Sequence, residues 1–98
     1  MASILEGGMD PIWLDSYPPG IPREIDPDKY RSIGEMFSES AARYADYPAF
    51  TCMGKTHTFA EIDRLSRAFA AYLQGQLGLE RGARVAIMMP NILQYPIA

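Results

Sequence analysis

Three observations predict an α/β fold. Two Ser/Thr-x-x-Glu signatures, Ser32-Ile33-Gly34-Glu35 and Thr58-Phe59-Ala60-Glu61, each open a stretch whose apolar residues recur at spacings of three and four. Between them, two short β-prone runs flank Met53-Gly54-Lys55. Near the end, Arg84-Val85-Ala86-Ile87-Met88-Met89 is apolar almost without alternation, the pattern of a strand covered on both faces.

Residues 1–8 lack the basic and long apolar regions of a secretory signal and read as a tag or extension, with Met9-Asp10 as a natural start. Residues 9–31 carry Pro11, Pro18, Pro19, Pro22, Pro27 and Gly20, so the stretch reads as an extended arm. Trp13, Leu14, Tyr17 and Ile21 give it apolar contacts that would lay it along a protein surface.

Ser32 and Glu35 form a predicted capping box, which satisfies amides that a helix start leaves without partners. The helix that follows buries Ile33, Met36, Phe37, Ala41 and Tyr44 on one face up to about Asp46, and Tyr47-Pro48 ends it. Residues 49–52 and 56–59 form a hairpin, with Gly54 supplying the positive φ of a tight turn. Thr58 and Glu61 repeat the box ahead of a stripe of Ile62, Leu65, Phe69, Tyr72, Leu73 and Leu77, and Gly75 or Gly78 lets the helix end. A polar turn at 80–83 leads to residues 84–89, read as a central parallel strand, after which Asn91 caps a helix from Ile92 that Pro96 bends. A strand of that kind needs sheet neighbours, so residues 32–98 read as the truncated start of a larger domain.

Composition narrows the function classes. Of the 98 residues 48% are hydrophobic and 21% charged, an ordinary globular balance, but a core of this size is modest in stability. The net charge is −3 and the basic residues are scattered, which argues against nucleic-acid binding. Cys52 is the single cysteine, which excludes an internal disulfide framework and fits a reducing cytosol. The apolar run from Val85 to Pro90 is far below the roughly 20 residues of a membrane-spanning helix.

Each residue with chemical potential has a structural explanation. His57 is the only histidine, so no histidine pair can hold zinc, and it reads as an ordinary hairpin residue. Asp26 and Asp28 read as a solvated turn, Glu61 as a cap residue and Cys52 as a small core or edge hydrophobe. Gly75 and Gly78 belong to a helix end rather than to a phosphate-binding loop, which would need a following lysine. Met36, Met53, Met88 and Met89 are placed in the core rather than on a lipid-binding surface. No catalytic, cofactor-binding or metal-binding residue is assigned.

Several segments together resemble the start of an adenylate-forming, acyl-activating enzyme over residues 12–98. Ile12-Trp13-Leu14-Asp15-Ser16-Tyr17-Pro18 and Ile25-Asp26-Pro27-Asp28-Lys29-Tyr30 are similar to the leader of bacterial long-chain fatty acid:CoA ligases. Met36-Phe37, Ala42-Arg43-Tyr44 and Tyr47-Pro48-Ala49-Phe50 resemble that family's first helix and strand. Thr58-Phe59-Ala60-Glu61-Ile62 and Ser66-Arg67-Ala68-Phe69-Ala70-Ala71-Tyr72-Leu73 resemble the segment and helix that come next. Gly82-Ala83-Arg84-Val85 resembles its glycine-aspartate-arginine-valine lead into a strand, with Ala83 in place of the aspartate, and Gln94-Tyr95-Pro96-Ile97-Ala98 its continuation.

The resemblance implies the N-terminal portion of the large domain of an enzyme that joins a fatty carboxylate to ATP and passes the acyl group from the adenylate to coenzyme A, with Mg2+ neutralising the phosphates. The phosphate loop, metal ligand, ribose-binding aspartate, hinge and C-terminal lysine of such enzymes do not occur here. This segment is therefore expected to be scaffold, inactive alone and without ATP, Mg2+ or coenzyme A bound to it. The implied setting is the cytoplasm, with peripheral contact at the inner membrane and a homodimer through the arm as further expectations. The alternative readings are a stand-alone interaction module and an adenylation domain acting on another carboxylate.

Overall fold

The computed structural model describes residues 10–98; the reading of residues 1–8 as a tag or extension lies outside them. The first helix, α1 (Ile33–Arg43), begins where predicted: the Ser32 hydroxyl accepts the Glu35 amide at 3.0 Å. Only half of the expected box forms. The Glu35 carboxylate turns to Arg31 instead, accepting its amide at 2.7 Å and its guanidinium at 3.0 and 2.8 Å. A guanidinium beside a free amide offers several charge-assisted donors at once, which the Ser32 amide alone cannot match. Those bonds hold the Glu35 carboxyl below its ordinary range.

Strands β1 (Pro48–Cys52) and β2 (Lys55–Thr58) pair antiparallel, with Cys52 opposite Lys55 and Thr51 opposite Thr56. The turn between them is two residues long, and both have positive φ, 52° at Met53 and 78° at Gly54. That is the primed turn whose twist matches a hairpin. Gly54 takes the conformation freely, while at Met53 a side chain makes it costly, by about 1–2 kcal/mol. The Thr51 and Thr56 hydroxyls meet across the strands at 2.7 Å. Pro48 faces Thr58 and Phe50 faces His57, so Ala49 is left as a bulge that bends β1.

Helix α2 (Phe59–Ala71) carries the complete capping box, Thr58 Oγ1 accepting the Glu61 amide at 3.2 Å and Glu61 Oε2 the Thr58 amide at 2.9 Å. Its next two orphan amides are also met: Phe59 donates to the Tyr47 carbonyl and Ala60 to the Ala45 carbonyl. The helix packs against α1 and both strands, and the core lies along it. Ile62 is 1% exposed and Ala41 of α1 5%; Phe37, Leu65, Phe69 and Leu73 are half-buried. Tyr44 adds aromatic contacts, 5.6 Å from the Tyr47 ring and 6.4 Å from Phe59. Beyond Ala71 the helix widens into a π-turn, Tyr72–Gln76, and closes at Gly78, whose φ is 62°, with the Leu79 amide reaching back to Leu73. Of the two glycines named for the exit, Gly78 performs it.

Several expectations are corrected. Residues 84–89 form no ladder and are mostly exposed, with Val85 at 52%, because no other strand among the described residues lies beside them to accept their amides. The last helix, α3 (Gln94–Ile97), starts two residues later than expected and is capped at Leu93 without a side-chain bond. The Asn91 carbonyl instead lies 3.7 Å from the Cys52 thiol. The arm is not extended throughout: it holds a 3-10 turn, Ile12–Ser16, then a turn at Pro18–Ile21 with Gly20 at φ 86°. The 3-10 turn touches no other helix or strand among the described residues, and Trp13, Tyr17 and Ile21 stay largely exposed. Finally, the methionines expected in the core sit elsewhere: Met53 is 97% exposed, Met88 nearly as much, Met36 is exposed, and Met89 is half-buried. Ile33 and Tyr44 of the α1 stripe and Tyr72 and Leu77 of the α2 stripe are likewise exposed; among the described residues α1 has α2 alone to pack against.

Candidate functional site

Two places bring chemically distinct side chains together. At the junction of hairpin and helix, His57 leaves β2 on the face that Glu61 reaches from the first turn of α2, and Nδ1 of His57 lies 3.0 Å from Glu61 Oε2. That oxygen also accepts the Thr58 amide. An ionised carboxylate can only accept, so Nδ1 carries the proton. The Thr58 amide first, and the His57 ring second, hold the Glu61 carboxyl below its ordinary value. The His57 side chain is mostly covered while Glu61 is half exposed. The arrangement fixes the imidazole, and among the described residues Glu61 is its one hydrogen-bond partner, so its chemistry is that of a brace.

The pairing has a pH signature. A carboxyl held below its unfolded value stabilises the fold above that value, near 4.5, and the contribution is lost as pH falls through the lower folded value. Glu61→Gln is expected to flatten the acid-side fall of the melting temperature in this window. A titration of melting temperature against pH checks this; parallel curves for the two proteins would remove Glu61 from the acid response.

The second place is an open cleft of about 350 Å³ where α1, α2 and α3 meet, floored by Phe37, Phe69, Leu73 and Ile97. Asp63 and Arg67 stand at its rim, already paired at 3.0 Å. No buried side-chain polar atom among the described residues lacks a partner. The cleft can bury apolar surface, and its two charged lining residues are paired with each other.

The remaining sequence candidates stay apart from both places. Asp26 accepts the Asp28 amide at 2.9 Å in an exposed turn, and Cys52 is a half-buried strand residue. No group of three His, Cys, Asp or Glu residues capable of holding a metal occurs among the described residues. Sequence reasoning treated His57 and Glu61 separately and missed their contact. The signal was present: they are four apart across a capping box, which puts the strand's last inward side chain over the helix's first turn.

The hairpin-to-helix unit and the helix beyond it lie within residues 37–98, which match the model of the AMP-binding enzyme family, and the chain belongs to that family. Among curated proteins it is 60% identical over 90 residues to a long-chain-fatty-acid–CoA ligase of Yersinia pestis, 92% of this chain and 16% of the relative. A protein of the same name from Haemophilus influenzae is 50% identical over the same shares of both chains. Triostin synthetase I of Streptomyces triostinicus is 34% identical over 67 residues, 68% of this chain and 12% of that protein. The chain thus spans about a sixth of the length of the ligases it matches. No solved structure matches it.

Proposed function

We propose that the protein carrying this chain is an ATP-dependent long-chain fatty acid:CoA ligase, forming an acyl-adenylate and then the acyl-CoA, and that residues 10–98 serve it as framework. The observation that carries this reading is the extent of the likeness. A 90-residue match in a 98-residue chain necessarily includes residues 9–90, so it takes in the arm, which lies outside the segment common to AMP-binding enzymes at 37–98. The arm therefore aligns this chain with the ligases in particular. The weaker and shorter match to Triostin synthetase I supports an adenylation domain for another carboxylate less well.

ATP, Mg2+ and coenzyme A belong to the proposed reaction, but the described residues do not fit them. They bring together no metal-binding carboxylates and no glycine-rich loop followed by lysine, so no step of the chemistry is routed through them. Their part is to build the hairpin, the α1–α2 layer and one prospective strand at 84–89 for the larger domain. Among the described residues no helix is long and apolar enough to cross a membrane. A cytoplasmic enzyme with peripheral contact at the inner membrane, and pairing of two copies through the arm, complete the proposal.

The test is turnover of palmitate with ATP, Mg2+ and coenzyme A. The longer protein is expected to release pyrophosphate and AMP and to form palmitoyl-CoA, whereas the 98-residue chain is expected to release none. Pyrophosphate from the short chain would overturn the framework role. Turnover of an amino acid or aromatic acid in place of palmitate would favour the other adenylation reading, and a reading frame that stops at Ala98 would favour the stand-alone interaction module.

A further inference from the structure

We draw no further inference here: the strongest candidate, the open apolar cleft where α1, α2 and α3 meet over Phe37, Phe69, Leu73 and Ile97, is an unpartnered face, and nothing in the structure shows what covers it.

Discussion

Ile62→Ala is expected to cost about 2–5 kcal/mol, the range for truncating a buried aliphatic side chain and leaving a cavity. Ile62 is 1% exposed and stands where α2 meets its neighbours, while the other large apolar side chains around it are at most half-buried. No other described residue is both large and fully enclosed, so Ile62 makes the largest single contribution to the enclosed apolar surface. Against a total stability of about 5–15 kcal/mol for an ordinary domain, and less for a core this small, that loss leaves much of the population unfolded. Ile12→Ala is the control. Ile12 is 76% exposed on the 3-10 turn, and its truncation is expected to change stability by less than about 0.5 kcal/mol. Urea unfolding of both variants measures the gap, and equal midpoints would show that α2 does not carry the core.

Val85→Asp is expected to have very different effects in two settings. In the 98-residue chain Val85 is half exposed and unpaired, so a carboxylate there keeps its water and stability changes by less than about 0.5 kcal/mol. In the longer protein the same substitution is expected to cost about 3 kcal/mol or more, because a strand covered on both faces strips the carboxylate of water and gives it no partner. Thermal melts of the four proteins read the difference. A small effect in both settings would show that residues 84–89 are never enclosed.

The contrast between Ile62 and Val85 marks what the sequence can disclose. Features fixed by a few neighbouring residues were legible: the Ser32 and Thr58 caps, the turn at Gly54 and the exit at Gly78 depend on contacts within about one or two turns of chain, and of the α2 stripe Ile62, Leu65, Phe69 and Leu73 turn inward while Tyr72 and Leu77 do not. Residues 84–89 were misread as a strand within this chain because their pattern specifies burial without specifying what provides it. Arg31 was not foreseen as the partner of Glu35, since spacing alone does not rank a guanidinium and a side amide against the Ser32 amide. The exposed methionines show the same limit. Met53 and Met88 were placed in a core from their positions beside helix and strand patterns, but they lie in a turn and an unpaired segment, and no core among residues 10–98 encloses them.

The bonds from Phe59 to Tyr47 and from Ala60 to Ala45 have a further consequence, for the order in which the protein is made. They clasp the start of α2 to the segment just after α1 across a loop of about a dozen residues, and the hairpin fills that loop with contacts shorter still. Closing so short a loop is entropically cheap, and contacts so close in sequence favour rapid folding. During synthesis this clasp can close soon after its residues leave the ribosome, while residues 84–89 find no strand to pair with among the described residues. An apolar, unpaired segment that hangs from an already folded clasp is the kind of surface that makes a nascent chain prone to aggregate.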